Sequence, residues 1–182
     1  MIHKRRISTQ SLLEAAYRPD EVLLYCQSCP NYEANFSCPE HEFSTAHYLQ
    51  RYPYVLLFMQ TLPLTPGADP LETFYDCREY IDPVLMEFER RLHGETLLPG
   101  CCYNCSDDCS ALDAQECLQP SIRRYSLESL GVDINRMLQF FFDTPLIFQD
   151  DQMTFVYGFL LKDAPDPIRL VELESELQSI EC

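Results

Sequence analysis

The chain has 182 residues and a mass of 21.2 kDa, is 46% hydrophobic, and sets 13 Lys and Arg against 29 Asp and Glu for a formal charge of −16. That is enough apolar sequence for one domain, spanning 1–182, to bury a core without covalent staples. The acidity opposes any general attraction to phosphate backbones or anionic lipid, so nucleic acid and membrane surfaces are not expected partners.

No apolar run reaches the ~18 residues of a membrane helix. His3, Lys4, Arg5 and Arg6 are not followed by the apolar stretch of a secretory signal. A cytoplasmic protein is therefore expected. In chain order, Val22 to Tyr25 is an apolar run leading into Cys26 and reads as a buried strand. The polar stretch from Pro39 to Arg51 predicts a short helix starting near Ser44. Tyr54 to Leu62 is apolar at nearly every position, which predicts a central strand. Asp69 and Pro70 then open a helix with a cap and a proline at its first position. Asp82 and Pro83 repeat that signal, predicting a kink or two tandem helices across 70–93, with Leu85, Phe88 and Leu92 on one face.

Thr96 to Leu98 suggests a further strand, turned by Pro99 and Gly100. Ser126 caps a turn stopped by Gly131, and Asp133 caps a helix running to Phe142. Pro145 to Phe148 and Met153 to Leu161 read as a hairpin. Asp166 and Pro167 start a last helix, about 167–181, that keeps Leu170, Leu173, Leu177 and Ile180 at helical spacing. The pattern predicts an α/β or α+β fold: a mixed central sheet, helices packed on it, and cysteine-rich metal-binding loops at strand ends.

Ten cysteines dominate the composition. Without an export signal, disulfides are not expected, and random core thiols would not bunch. Eight of the ten fall in two motifs, Cys26, Cys29 and Cys38 (26–38), then Cys101, Cys102, Cys105, Cys109 and Cys117 (101–117), while Cys77 and Cys182 stand alone. Short spacing in turn-rich sequence lets several sulfurs converge on one metal centre. The first motif is one thiolate short of a closed site, so its fourth ligand comes from His41, from an exogenous group, or from Cys101, which the second motif can spare. The second offers Cys102, Cys105, Cys109 and Cys117, enough for a closed centre. Four thiolates suit zinc or iron–sulfur. Cys26, Cys29, Cys38 and His41 form a plausible zinc set, while the one-sided run from Cys102 to Cys117 fits a 4Fe-4S cluster better. Arg123 and Arg124 follow closely and are candidates to offset cluster charge, with ordinary surface pairing as the alternative.

Hydrolase and nucleotide chemistry find no support. The four histidines, His3, His41, His47 and His93, lie in no nucleophile motif, and five isolated glycines make no phosphate loop. Asp107 with Asp108 and Asp150 with Asp151 read as solvated turns, and Phe140 to Phe142 as core packing.

Three stretches resemble a known group: Cys26 to Tyr32 with Cys38 and Pro39; Gly100 to Cys105 through Cys117; and Arg124 to Glu128 with Gly131 to Asp133. Together they are similar to the "predicted metal-binding protein" family, a cysteine-rich domain of unknown function, over roughly Cys26 to Lys162. Glu33 stands where that family commonly has glycine, Glu40 where a second proline is usual, and Tyr125 where proline is usual. The resemblance implies a metal, with iron–sulfur foremost, and no particular reaction. The expectation is one or two 4Fe-4S clusters serving electron transfer to or from a redox partner protein, or acting as an accessory to a larger enzyme. The alternatives are an enzyme using an open iron site and a zinc-held interaction module.

Overall fold

In a computed structural model, described for residues 1–105, 109, 116–146 and 151–180, one antiparallel sheet is sandwiched between two helical layers. Strand order is β1-β2-β4-β3, with β1 Ile2–Ser8, β2 Tyr54–Pro63, β3 Gly94–Leu97 and β4 Gln152–Leu161. The predicted central strand, β2, pairs on both edges, with β1 from Ile2 opposite Gln60 and with β4 from Tyr54 opposite Leu161. Its apolar run follows from cover on both faces. Val55, Leu57 and Met59 pack under α1 (Thr9–Ala16), α3 (Thr45–Gln50) and α5 (Ile134–Phe142). Leu56, Phe58 and Leu62 pack under α4 (Pro70–Leu92) and α6 (Pro167–Gln178). Gly158 of β4 leaves room for its neighbour, since a Cβ there would sit 2.4 Å from the Leu56 carbonyl oxygen.

Caps read from the sequence hold where they were expected. Ser44 accepts from His47 N, Asp69 from Leu71 and Glu72 N, Asp133 from Arg136 N, and Asp166 from Ile168 N. Ser126 and Ser129 exchange amide-to-hydroxyl bonds in the turn that ends at Gly131, whose φ is 87°.

Several expectations are corrected. Val22 to Tyr25 is not a strand but lies in α2 (Pro19–Cys26). Pro19 starts that helix and Asp20 and Glu21 complement its dipole; Val22 alone is buried while Leu24 and Tyr25 face solvent. The first motif therefore leaves a helix, and only the second follows a strand. Across Asp82 and Pro83, α4 is one helix, because the stripe of Cys77, Ile81, Leu85, Phe88 and Leu92 continues onto the sheet and Asp82 pairs with Arg78 instead of capping. Pro145 and Leu146 lie outside any strand, and Ile147 and Phe148 outside the described residues, while β4 pairs with β2 and β3. β1 and α1 went unpredicted, since the charges that protect an edge strand, Lys4, Arg5 and Arg6, mask its pattern. Cys77, buried on α4, is disulfide-bonded, contrary to the expectation of no disulfide, while the eight motif cysteines are free thiols. Cys182 lies outside the described residues. Spacing reads clustered cysteines and is silent on a solitary one.

Candidate metal centre

The first motif leaves α2 at Cys26 and turns at once, with Cys29 N donating to Cys26 O at 2.9 Å and Cys38 N to Asn35 O at 3.0 Å. Asn35 and Ser37, both buried, tie this loop to the second motif. Asn35 Nδ2 donates to Cys102 O at 2.8 Å, its Oδ1 accepts from Ser37 N and Oγ, and Cys102 N donates to Ser37 Oγ at 2.8 Å. Neither residue was picked out from the sequence. An Asn two positions before a Ser in a cysteine loop is a turn signal, and only the fold reveals the second segment it grips.

This clasp brings Cys101 against Cys38. The Cys38 thiol donates to Cys101, pushing Cys38 upward and drawing Cys101 down to about 6 despite its burial, with the Tyr103 hydroxyl and the Arg78 guanidinium also favouring the Cys101 thiolate. Cys29 is close enough to Cys26 and to Cys38 for their charges to repel. Burial first, then Glu128 and Cys29, push Cys26 up to about 11. Cys26, Cys29, Cys38 and Cys101 thus share one neighbourhood, in which removal of a proton from one sulfur makes the next removal harder. A bound cation relieves that repulsion.

His41, the other candidate for the fourth position, is engaged elsewhere. Its Nε2 lies 2.9 Å from Ser129 O, it stacks on Phe43 with centroids 4.9 Å apart, and burial lowers its pKa. It lines a cavity of about 270 Å³ together with Cys26 and Glu128.

The second group sits on the other side of the Cys101–Cys102 peptide. Cys102, Cys105, Cys109 and Cys117 line a cavity of about 80 Å³ with Asn35, Phe36, Tyr103 and Arg123. Burial raises Cys102, opposed by the Asn104 and Arg124 backbone amides that point at its sulfur, while Cys117 and Cys109 add repulsion. Arg123 lies over the Tyr125 ring at 5.3 Å. The Arg124 guanidinium pairs with Glu89 of α4, which also accepts from Thr96 N at 2.7 Å, and it interacts electrostatically with Cys102 as well.

Two residues outside the motifs stand over the first group. Arg78, 3% exposed, donates from Nη2 to Asp82 at 2.7 Å and to Cys101 O at 2.6 Å. Glu128 is felt by both Cys26 and Cys101, and burial pushes its carboxyl upward. Arg78 Nη1 and Glu128 Oε2 are buried without a hydrogen-bond partner. Arg78 is invisible to motif reading because it lies mid-helix, 23 residues from Cys101. Among the described residues, no three or more His, Cys, Asp or Glu side chains are drawn into a group that would hold a metal ion. The donor set itself, thiolates with inward-pointing amides and orphaned buried polar atoms, fits a group bound through sulfur.

The family described as "Predicted metal-binding protein (DUF2284)" matches residues 15–161. The chain belongs to this family. The region matched by the predicted metal-binding protein family holds all eight motif cysteines, together with Asn35, Ser37, Arg78 and Glu128. No curated protein and no solved structure matches the chain. No helix among the described residues is long and apolar enough to cross a membrane.

Glu33 has φ 57°, a left-handed conformation that costs an L residue and that glycine adopts without strain. Tyr125 is buried against His41, Phe43 and Tyr48, and its carbonyl, a group proline also has, accepts from Leu98 N.

Proposed function

We propose that the protein is a cytoplasmic iron–sulfur protein with two 4Fe-4S clusters, one on Cys26, Cys29, Cys38 and Cys101 and one on Cys102, Cys105, Cys109 and Cys117, serving electron transfer with a redox partner protein. The observation that carries this reading is the cavity of about 80 Å³ that the second four cysteines line together with six other residues. Thiolates around one ion, each ~2.3 Å from it, close up on it and leave no such space. This cavity exceeds the ~30 Å³ share of a water molecule and suits a group of several atoms. Such a cluster takes up and releases single electrons. Arg123 flanks the second group and Arg78 the first, where their charges would offset that of a bound cluster. Cys101 and Cys102 are neighbours in sequence, their Cα atoms ~3.8 Å apart, which favours electron passage between two centres. A groove of about 600 Å³ reaches Cys38 of one group and Cys117 of the other between the exposed Glu33, Glu40, Glu42 and Glu116. A partner with a basic face complements that rim.

A second reading has one observation in its favour. The 270 Å³ cavity beside Cys26, lined by His41 and Glu128, gives room for a small molecule at the first centre, as an enzyme with an open iron would need. Visible and EPR spectra of the dithionite-reduced protein separate the readings. Two signals indifferent to added small ligands support electron transfer, a ligand-induced change in one signal supports the open site, and a colourless zinc protein removes both.

A further inference from the structure

Among the described residues, the buried side-chain atoms without a hydrogen-bond partner are Arg78 Nη1 and Glu128 Oε2, and both belong to residues whose charges act on the first cysteine group. Arg78 is the more constrained of the two. Its Nε and Nη2 are taken by Asp82, Nη2 also holds the Cys101 carbonyl, and the rings of Phe74 and Tyr103 lie 5.8 and 5.0 Å from the guanidinium carbon. Gly100, at φ 95°, brings the backbone close, since a Cβ there would stand 3.4 Å from Nη1. These contacts hold the guanidinium in place, and Nη1 is buried even though the residue borders a cavity of about 700 Å³. A buried cationic N–H without an acceptor is costly, so it marks the position of an acceptor. The negatively charged groups that the Arg78 charge acts on are the sulfur of Cys101 and the Glu128 carboxylate, and of the two only the sulfur is a candidate ligand.

We propose that Arg78 sets the reduction potential of the centre on Cys26, Cys29, Cys38 and Cys101 by presenting Nη1 to its sulfur, and that Asp82 limits the effect. This rests on the iron–sulfur reading above and adds the residue that tunes one centre and not the other. Reduction adds an electron, and a buried positive charge beside the cluster stabilises the reduced state. Asp82, paired with Arg78 at 2.7 Å, withdraws part of that field. Lysine cannot take the place of arginine in full, because a single ammonium cannot hold the Asp82 carboxylate, the Cys101 carbonyl and a sulfur in the fixed directions of a guanidinium. Among the described residues, the second centre has no arginine with a buried, unpartnered nitrogen: Arg124 gives its guanidinium to Glu89.

The test is an EPR-monitored redox titration of the reconstituted full-length protein, with iron and sulfide content measured for each variant. Arg78→Gln should shift the first centre to a more negative potential, Arg78→Lys should shift it less, and Asp82→Asn should shift it positive, all with the second centre moved much less. Opposite signs for the two partners of one ion pair are not what loosened packing produces. If Arg78→Gln does not load, Asp82→Asn and Arg78→Lys decide. A loaded Asp82→Asn variant with an unmoved or more negative potential overturns the inference, as does an equal shift of both centres. Wild-type protein that takes up no iron and sulfide overturns the iron–sulfur reading and this inference together, whereas loaded wild type with unmoved variants overturns this inference alone.

Discussion

The two cysteine groups meet at one peptide bond, yet they are built differently. The first draws on separated stretches of chain, the end of α2 with its following loop and the segment after β3, joined by the Asn35 and Ser37 clasp and overlaid by Arg78 of α4. The second comes from one local run, 102–117, around a small cavity. A site gathered from distant segments depends on the whole fold, and its loss is felt by the fold in return; a local site depends mainly on its own turns.

Single cysteine replacements probe that contrast most strongly. Cys101→Ser and Cys105→Ser should each lose about half of the bound iron, the remainder belonging to the other group. Cys101→Ser should also lower the melting temperature more than Cys105→Ser. Iron content with calorimetry checks both, and full iron in either variant removes that residue from the ligand set.

The supports of the two groups should differ next. Glu89→Gln breaks the ion pair behind the second group, where both side chains are little exposed, and should cost about 3 kcal/mol in denaturant unfolding. Burial opposes the Glu89 carboxylate, but Arg124 and Thr96 outweigh it and hold its pKa below the ordinary glutamate value. A carboxyl lowered in the folded state contributes stability above its unfolded pKa of ~4.3, and that contribution fades as pH falls through the folded value. The gap between wild type and Glu89→Gln should therefore narrow in acid, and a gap independent of pH would deny the ion pair its role. Asn35→Ala removes the clasp on the first group and should cost about 2 kcal/mol, since the Cys102 carbonyl and the Ser37 groups lose their partner. Iron loss should fall on the first centre; equal loss from both would show that the clasp does not distinguish them.

The smallest effect concerns the loop of the first group. Glu33→Gly relieves a left-handed residue and should stabilise the protein by less than about 1 kcal/mol, with no change in metal content. A destabilised variant would mean that the Glu33 side chain contributes more than its backbone costs.

What the sequence disclosed follows the same division. The ligand candidates could be read because they are bunched, and even the spare Cys101 beside Cys102 hinted at a link between the motifs. β2, α3 and the caps at Asp69, Asp133 and Asp166 were legible because apolar runs and Asp-Pro or Ser signals are local. Arg78, Glu128, Asn35 and Ser37 were not, because each acts on a segment 23 to 102 residues away. Val22 to Tyr25 misled for a similar reason: four apolar residues fit a strand or a helix turn equally, and Pro19 with Asp20 and Glu21 decides for the helix.

The central claim is that two sets of four thiolates each hold a polynuclear iron cluster, and iron and acid-labile sulfide analysis of anaerobically purified protein tests it most directly. The account predicts brown protein with iron and sulfide in near-equal amounts, about eight of each per chain. Stoichiometric zinc without sulfide, or metal-free protein whose motif thiols all titrate in the native state, would contradict it.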